Sequence, residues 1–306
     1  MKTDHHICVV TVTYGNRWKY LSKMLDRILE MQEFFNINIV VVDNTGHDNI
    51  VNLVKSKNKD IHVIDMHGNT GSAAGFKAGI KYAHRIICTD FVWLLDDDNL
   101  PERSSISSLL QEYENLGSDA NNAFLSMRSD RNQLKKAILE QKSIKLRPNT
   151  FLGFSLSKKL STKNNINNSE NNVCIEDISN YPCVNVDYAP YGGFFFHKSW
   201  IPRIGFPNEE YFIYSDDHEY TNRVVRMGGK IWLTPRSLVE DLECSYRYRA
   251  GVKNVYSDLD YPSDRAFFEI RNKITNKTSI DLDPIINGIK NIENKVAYVT
   301  IRSIFL

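Results

Sequence analysis

The chain has 306 residues, 42% hydrophobic and 25% charged, an ordinary globular composition long enough for one large domain with or without an appended lobe. Its 38 basic and 37 acidic residues leave a formal charge of +1, which argues against nucleic acid as a partner; any anionic ligand must be met locally. Five scattered cysteines without a Cys-x-x-Cys pair argue against a disulfide framework or a zinc site and fit a reducing, cytoplasmic setting.

The polar start, residues 1–6, lacks a signal-peptide pattern, and no apolar run approaches the ~20 residues of a membrane span. The expectation is a soluble protein, at most peripheral at the inner face of the cell membrane. Continuous β-branched and apolar runs at 7–12, 39–42, 61–64 and 91–95 read as strands buried on both faces. Between them, Trp18, Leu21, Leu25 and Ile28 recur at helical spacing, as do Phe76, Ile80, Ala83 and Ile87. The alternation predicts an α/β fold with a mostly parallel sheet flanked by helices, whose ligands gather at the carboxyl ends of the strands.

Further along, 123–127 reads as a strand and 155–180 as a Ser/Asn/Lys-rich loop that buries little. Order resumes at 184–197, then a helix over about 216–227 and a strand at 230–234. Near the end, Ile285, Ile289, Ile292, Val296 and Val299 form an amphipathic helix, with Asp283 as its cap and Pro284 at its first position. That stripe has three readings: packing on its own domain, a homodimer seam, or peripheral membrane contact.

Asp96-Asp97-Asp98-Asn99 follows the fourth strand without a spacer. Adjacent carboxylates repel one another unless a cation or a hydrogen-bond network lies between them, and an all-oxygen donor set suits Mg²⁺ or Mn²⁺. Strand alternation turns Asp96 and Asp98 one way and Asp97 the other. The competing reading is a solvated turn ahead of Pro101.

The order of these features resembles the family 2 inverting glycosyltransferases with a GT-A fold. The similarity is carried by Val10-Thr11-Val12-Thr13-Tyr14-Gly15-Asn16-Arg17, Val41-Val42-Asp43-Asn44, the stretch from Gly68 to Gly79, and Asp96-Asp97-Asp98, and it covers roughly residues 9–245 without the Asn-rich loop. It implies a Rossmann-like nucleotide-sugar half (1–100), an acceptor half (101–245) and a mainly helical extension (246–306). Around the UDP-sugar donor it places Thr13, Arg17, Asp43, Asn69, Gly71, Gly75, Asp96 and Asp97, with Asp96 and Asp98 on the metal.

Several of these residues have a second reading. Asp43 serves either as acceptor for a base imide or as cap of its turn, and Arg17 as a phosphate ligand or a solvated cation. Gly71 and Gly75 allow close approach to a diphosphate, or pack helix on sheet as Gly79 does.

Asp216-Asp217-His218-Glu219 resembles the family's acidic motif. That implies Asp217 as the base for the acceptor hydroxyl, with Asp216 and Glu219 shaping the acceptor site beside Phe195 and His218. Asp216 and Glu219 also have capping-box spacing, and at least two of Phe194, Phe195 and Phe196 read as core. Where the family often has a metal-binding histidine, six residues after Pro235, stands Asp241, with Glu240 the alternative third ligand.

Asp-Asp-Asp, the Gly192–Phe196 stretch and Asp-Asp-His-Glu are most similar to galactofuranosyltransferases and rhamnosyltransferases, as is the segment 267–272. The first expectation is therefore transfer of galactofuranose from UDP-galactofuranose to a glycan or lipid-linked glycan in cell-surface polysaccharide synthesis, with rhamnose or another hexose as the alternative. Arg265 and Arg271 read either as contacts for a lipid-linked pyrophosphate or as surface ion pairs. Outside this class stand a nucleotidyltransferase, which should carry a basic Gly-rich loop after its first strand, and a non-catalytic carbohydrate-binding protein.

Overall fold

The computed structural model describes residues 4–46, 49–145, 178–213 and 215–243. Residues Met1–Leu146, Asn168–Phe212 and Asp216–Cys244 form one compact unit, which carries the sheet. A second unit comprises Arg147–Asn167, Ile213–Ser215 and Ser245–Leu306 and falls almost wholly outside the described residues. The expectations for residues 155–177, for Arg265, Arg271 and 267–272, and for the helix over 285–299 lie there too.

The apolar runs of the first hundred residues are strands because both of their faces are covered. In chain order come β1 (His6–Thr13), α1 (Trp18–Met31), β2 (Asn36–Asp43), α2 (Asn49–Lys57), β3 (His62–Asp65), α3 (Gly71–Ile86) and β4 (Phe91–Asp96). On one face Ile7, Val9, Val41, Phe91, Trp93 and Leu95 bury against Leu21, Leu25 and Ile28 of α1. On the other, Cys8, Val10, Val40, Val42, Val92 and Leu94 bury against Phe76, Ile80 and Ala83 of α3. Strand alternation sorts one continuous apolar run into two cores.

The chain continues with β5 (Asn99–Pro101), α4 (Ser105–Asn115), β6 (Asn122–Arg128), α5 (Asn132–Leu139), β7 (Val184–Val186), β8 (Phe194–His197), α6 (Trp200–Ile204), a 3₁₀ turn (Glu209–Tyr211), α7 (Asp216–Arg226) and β9 (Lys230–Asp241). The sheet order is β3-β2-β1-β4-β8-β6-β9-β5, with β7 also paired to β9. Its β3-β2-β1-β4 half is parallel, as expected. Beyond it the sheet is mixed: β8 runs antiparallel to β4 and β6, and β5 and β7 run antiparallel to β9. Strand β9 reaches Asp241, seven residues past the expected end.

Helix α3 lies close on the sheet because it presents glycines at four-residue spacing. A Cβ on Gly75 would come within 2.6 Å of Val12, and one on Gly79 would overlap Val10 and lie 3.1 Å from Val42. Gly79→Ala should therefore lower stability by about 1–3 kcal/mol through overpacking, read as a shifted urea midpoint with an unchanged m-value. A midpoint equal to the parent's would mean that α3 can lift without cost.

Candidate functional site

The carboxyl end of β4 is an acidic turn held by arginines. Asp97 is 3% exposed and turns inward, where Thr13 Oγ1 donates to it at 2.7 Å and Arg17 Nε at 2.8 and 3.0 Å. Arg17 also pairs with Asp98 at 2.9 Å and with Glu243, and its guanidinium lies 5.3 Å from the Tyr20 ring centroid. Arg17 is thus no solvated cation: its side chain is 15% exposed and set among carboxylates. Thr13 and Asp97, expected at the donor, are engaged with each other and with Arg17.

Asp96 and Asp98 have different counter-ions: Arg17 pairs with Asp98 as well as Asp97, and Asp96 turns to Arg128. Asp96 lies 3.4 Å from Arg128, which also pairs with Asp241. Pairing of β5 with β9 sets Asn99 opposite Asp241, and Asn99 Nδ2 donates to Asp241 at 2.9 Å. Arg131 adds a contact at 2.7 Å, so both Asp241 oxygens are taken. Asp241, expected as the third cation ligand, is shared by Arg128 and Arg131; Glu240, the alternative, faces outward at the opposite register position of β9.

Burial pushes the Asp96, Asp97 and Asp98 carboxyls up to about 6 each; Arg128 opposes this at Asp96, and Arg17 at Asp97 and Asp98. Among the described residues no three acidic, histidine or cysteine side chains make a ready cation cage. Asp96 and Asp98 nevertheless fit a hard divalent cation in donor chemistry: both are carboxylates, and Asp96 is near enough to raise the proton affinity of Asp98. The space beside them is kept by Gly192, where a Cβ would lie 2.7 Å from Arg128 and closer still to Asp96 and Asn99.

On the other side of β1, Asp43 caps its turn through Oδ1, which accepts from Thr45 N at 2.9 Å and Thr45 Oγ1 at 2.6 Å. Its Oδ2 is buried and unpartnered, an acceptor left over at the end of β2. Asn44 binds the Gly-rich loop, accepting from Thr70 N at 3.0 Å and Thr70 Oγ1 at 2.8 Å and donating to the Gly71 carbonyl at 3.0 Å. Asn69 Oδ1 accepts from Gly71 N at 3.0 Å, which folds the loop on itself. Gly71 has φ +85°, and a Cβ there would overlap the Phe212 carbonyl. Close packing, on Phe212 for Gly71 and on Val12 for Gly75, is what these two glycines permit.

The second acidic cluster opens α7. Asp216 is 3% exposed and accepts from Ser72 Oγ at 2.8 Å, whereas the Asp217 side chain keeps 23% of its surface open. Burial, then the neighbouring Asp217, lifts the Asp216 carboxyl from 3.8 to about 7. Asp217 also raises Asp96, more weakly than Asp241 and Asp97 do. Glu219 forms no capping box: both its oxygens bind Arg223, at 2.7 and 2.5 Å.

His218 is open to solvent and packs at 4.3 Å on the Tyr188 ring. Phe195, expected at the acceptor, is core: fully buried, it stacks 4.7 Å from Phe91, because β8 is interior to the sheet. Sequence reasoning missed Arg128, Arg131, Asn99, Asn44 and Ser72. Only Arg128, at the carboxyl end of a strand, carried a legible signal.

Two outcomes follow from this geometry. Arg17→Ala strands the buried Asp97 carboxylate with one hydroxyl partner and should cost roughly 3 kcal/mol in urea unfolding; less than about 0.5 kcal/mol would mean Asp97 relaxes or protonates freely. Asp216 has its folded pKa raised, so its stabilising contribution is present in acid and is lost as pH rises through about 7. Asp216→Asn should flatten the fall in stability between about pH 4 and pH 8; unfolding midpoints that keep the parent's pH slope would refute this.

The sequence matches the family described as glycosyl transferase family 2 over residues 8–167, slightly more than half of the chain. Galactofuranosyltransferase GlfT1 of Mycolicibacterium smegmatis is 30% identical over 104 residues, 34% of this chain and 33% of that protein. The chain thus aligns with about a third of that relative's length. Among solved structures, mannosyltransferase PcManGT from Pyrobaculum calidifontis, in complex with GDP-Man and Mn²⁺, superposes with TM-score 0.57 at 14% identity, covering 98% of this chain and 74% of that one. GalNAc-T7 with UDP, GalNAc and Mn²⁺ gives 0.56 at 11% identity over 94% and 54%. TarS of S. aureus gives 0.52 at 13% over 95% and 76%. Those likenesses are of fold, a mixed α/β sheet flanked by helices of the GT-A glycosyltransferase kind. By the match over residues 8–167, the chain belongs to glycosyl transferase family 2.

Proposed function

We propose that this protein is an inverting, divalent-metal-dependent glycosyltransferase that uses a UDP-sugar, first of all UDP-galactofuranose, to glycosylate a glycan or lipid-linked glycan hydroxyl. The observation that carries this reading is the meeting of two acidic clusters of unlike exposure: Asp96 and Asp98 at the end of β4, and the accessible Asp217 at the start of α7, within electrostatic reach of Asp96. The limited likeness to a galactofuranosyltransferase favours that sugar over rhamnose or another hexose.

In this reading the catalytic domain is 1–245, and the donor lies at the carboxyl ends of β1, β2 and β4. The unpartnered Asp43 Oδ2 supports a nucleobase contact there. Asp96 and Asp98 hold Mn²⁺ or Mg²⁺, which when bound supplies positive charge for a departing diphosphate. Arg17 and Asp97 keep the acidic turn in shape, while Arg128 and Asp241 flank it. Asp217 accepts the proton of the acceptor hydroxyl on the side opposite the leaving group, and His218 and Tyr188 border that space. A single displacement of this kind inverts the anomeric centre.

Incubating the protein with candidate UDP-sugars, an acceptor and Mn²⁺, and reading released UDP, tests the assignment. EDTA should abolish transfer and Mn²⁺ or Mg²⁺ restore it. Asp217→Asn keeps size but cannot take a proton, so kcat should fall by roughly 10²–10⁴-fold with UDP affinity unchanged. Turnover in full chelation, or a product with the donor's anomeric configuration by NMR, would overturn the mechanism.

A further inference from the structure

The first turns of α3 and α7 are joined by contacts that the proposed chemistry does not use. Thr70, at the N-cap of α3, makes no capping hydrogen bond with its side chain. The Phe212 carbonyl takes that place, accepting from Ala73 N at 3.2 Å. It reaches the helix end because Gly71 has no side chain, and Phe212 itself holds φ 58°, uncommon for a residue other than glycine. The Ser72 hydroxyl has a single proton; its 2.8 Å contact with Asp216 is the strong one, its 3.4 Å contact with Phe212 O being long.

The start of α3 is therefore met at Ala73 N by a carbonyl from within the chain. Asn44 fastens the other end of the same loop to β2, directly after Asp43. A continuous line of hydrogen-bonded groups runs from Asn44 through residues 70–72 to Asp216, whose chain neighbour is Asp217.

We propose that the Ser72–Asp216 hydrogen bond, with the Phe212 carbonyl on the end of α3, seats helix α7 against the donor-side loop and so sets where the Asp217 carboxylate stands. Ser72 and Asp216 are then positioning residues, and Asp216 acts through the backbone it anchors, not by touching the acceptor. The inference rests on the reading of Asp217 as the base. The donor loop and the base are held by one rigid joint, which suits a displacement in which nucleophile and leaving group must stay in line.

The test uses the full chain with Ser72→Ala, Ser72→Thr and Asp217→Asn in the UDP-release assay, with UDP affinity measured separately by calorimetry. Ser72→Ala should lower kcat by about ten- to a hundredfold, the scale of a misplacement near 1 Å, with donor KM and UDP affinity within about twofold. Ser72→Thr, which keeps the hydroxyl, should recover most of the loss. If Ser72→Ala does not fold, Ser72→Cys takes its place, with a smaller kcat loss expected from its weaker donor. Full turnover in the variant lacking the hydroxyl, beside a dead Asp217→Asn, would overturn the joint while leaving the base assignment standing. Full turnover in Asp217→Asn would bring down both. Parallel loss of UDP affinity in Ser72→Ala would place Ser72 at the donor and overturn the joint alone.

Discussion

Four carboxylates, Asp96, Asp97, Asp98 and Asp241, stand around one strand end, and the rest of the site depends on how their charge is compensated. Arg17 meets Asp97 and Asp98 on one side; Arg128 meets Asp96 and Asp241 on the other, with Arg131 behind. Desolvation disfavours every one of these charges taken singly, so the cluster persists because each member has a partner of opposite sign or a hydrogen-bond donor.

Compensation of this kind requires the sheet to be built as it is. Antiparallel pairing of β5 with β9 sets Asn99 across from Asp241, and parallel pairing of β6 with β9 carries Arg128 to the same end. The register between β6 and β9 shifts between Ser126 and Met127. Beyond it, Met127 pairs with Leu238 and Arg128 with Val239, so the ends of both strands arrive beside the turn after β4. Placing β8 between β4 and β6 fills the middle of the sheet with phenylalanine, which turns an apparent aromatic platform into core.

The two ends of the site are held differently. The Gly-rich loop before α3 is drawn together by backbone and side-chain hydrogen bonds of Asn44, Asn69 and Thr70, and by glycines that let α3 lie on the sheet. The start of α7 is anchored at a buried point, Asp216, and opens immediately beyond it at Asp217 and His218. Neighbouring acidic residues thereby stand differently, Asp216 buried and bonded to Ser72, Asp217 partly open.

The sequence by itself determined the strand–helix alternation, the two-sided burial of β1, β2 and β4, and the acidic start of α7. These depend on local periodicity, which is written into consecutive residues. It did not determine that Arg17 would be consumed by Asp97, that Asp241 would be held by Arg128 and Arg131, that Phe195 would be core, or that Glu219 would turn to Arg223 and not to the helix cap. The first three are decided by partners brought up through strand order and helix packing, from 80 residues away for Arg17 and Asp97 and from more than a hundred for Asp241 and Phe195, whereas Glu219 turns to a neighbour four residues along its own helix. A side chain's charge and size are local, but whether it meets solvent, a ligand or a counter-ion is settled by what tertiary pairing sets against it.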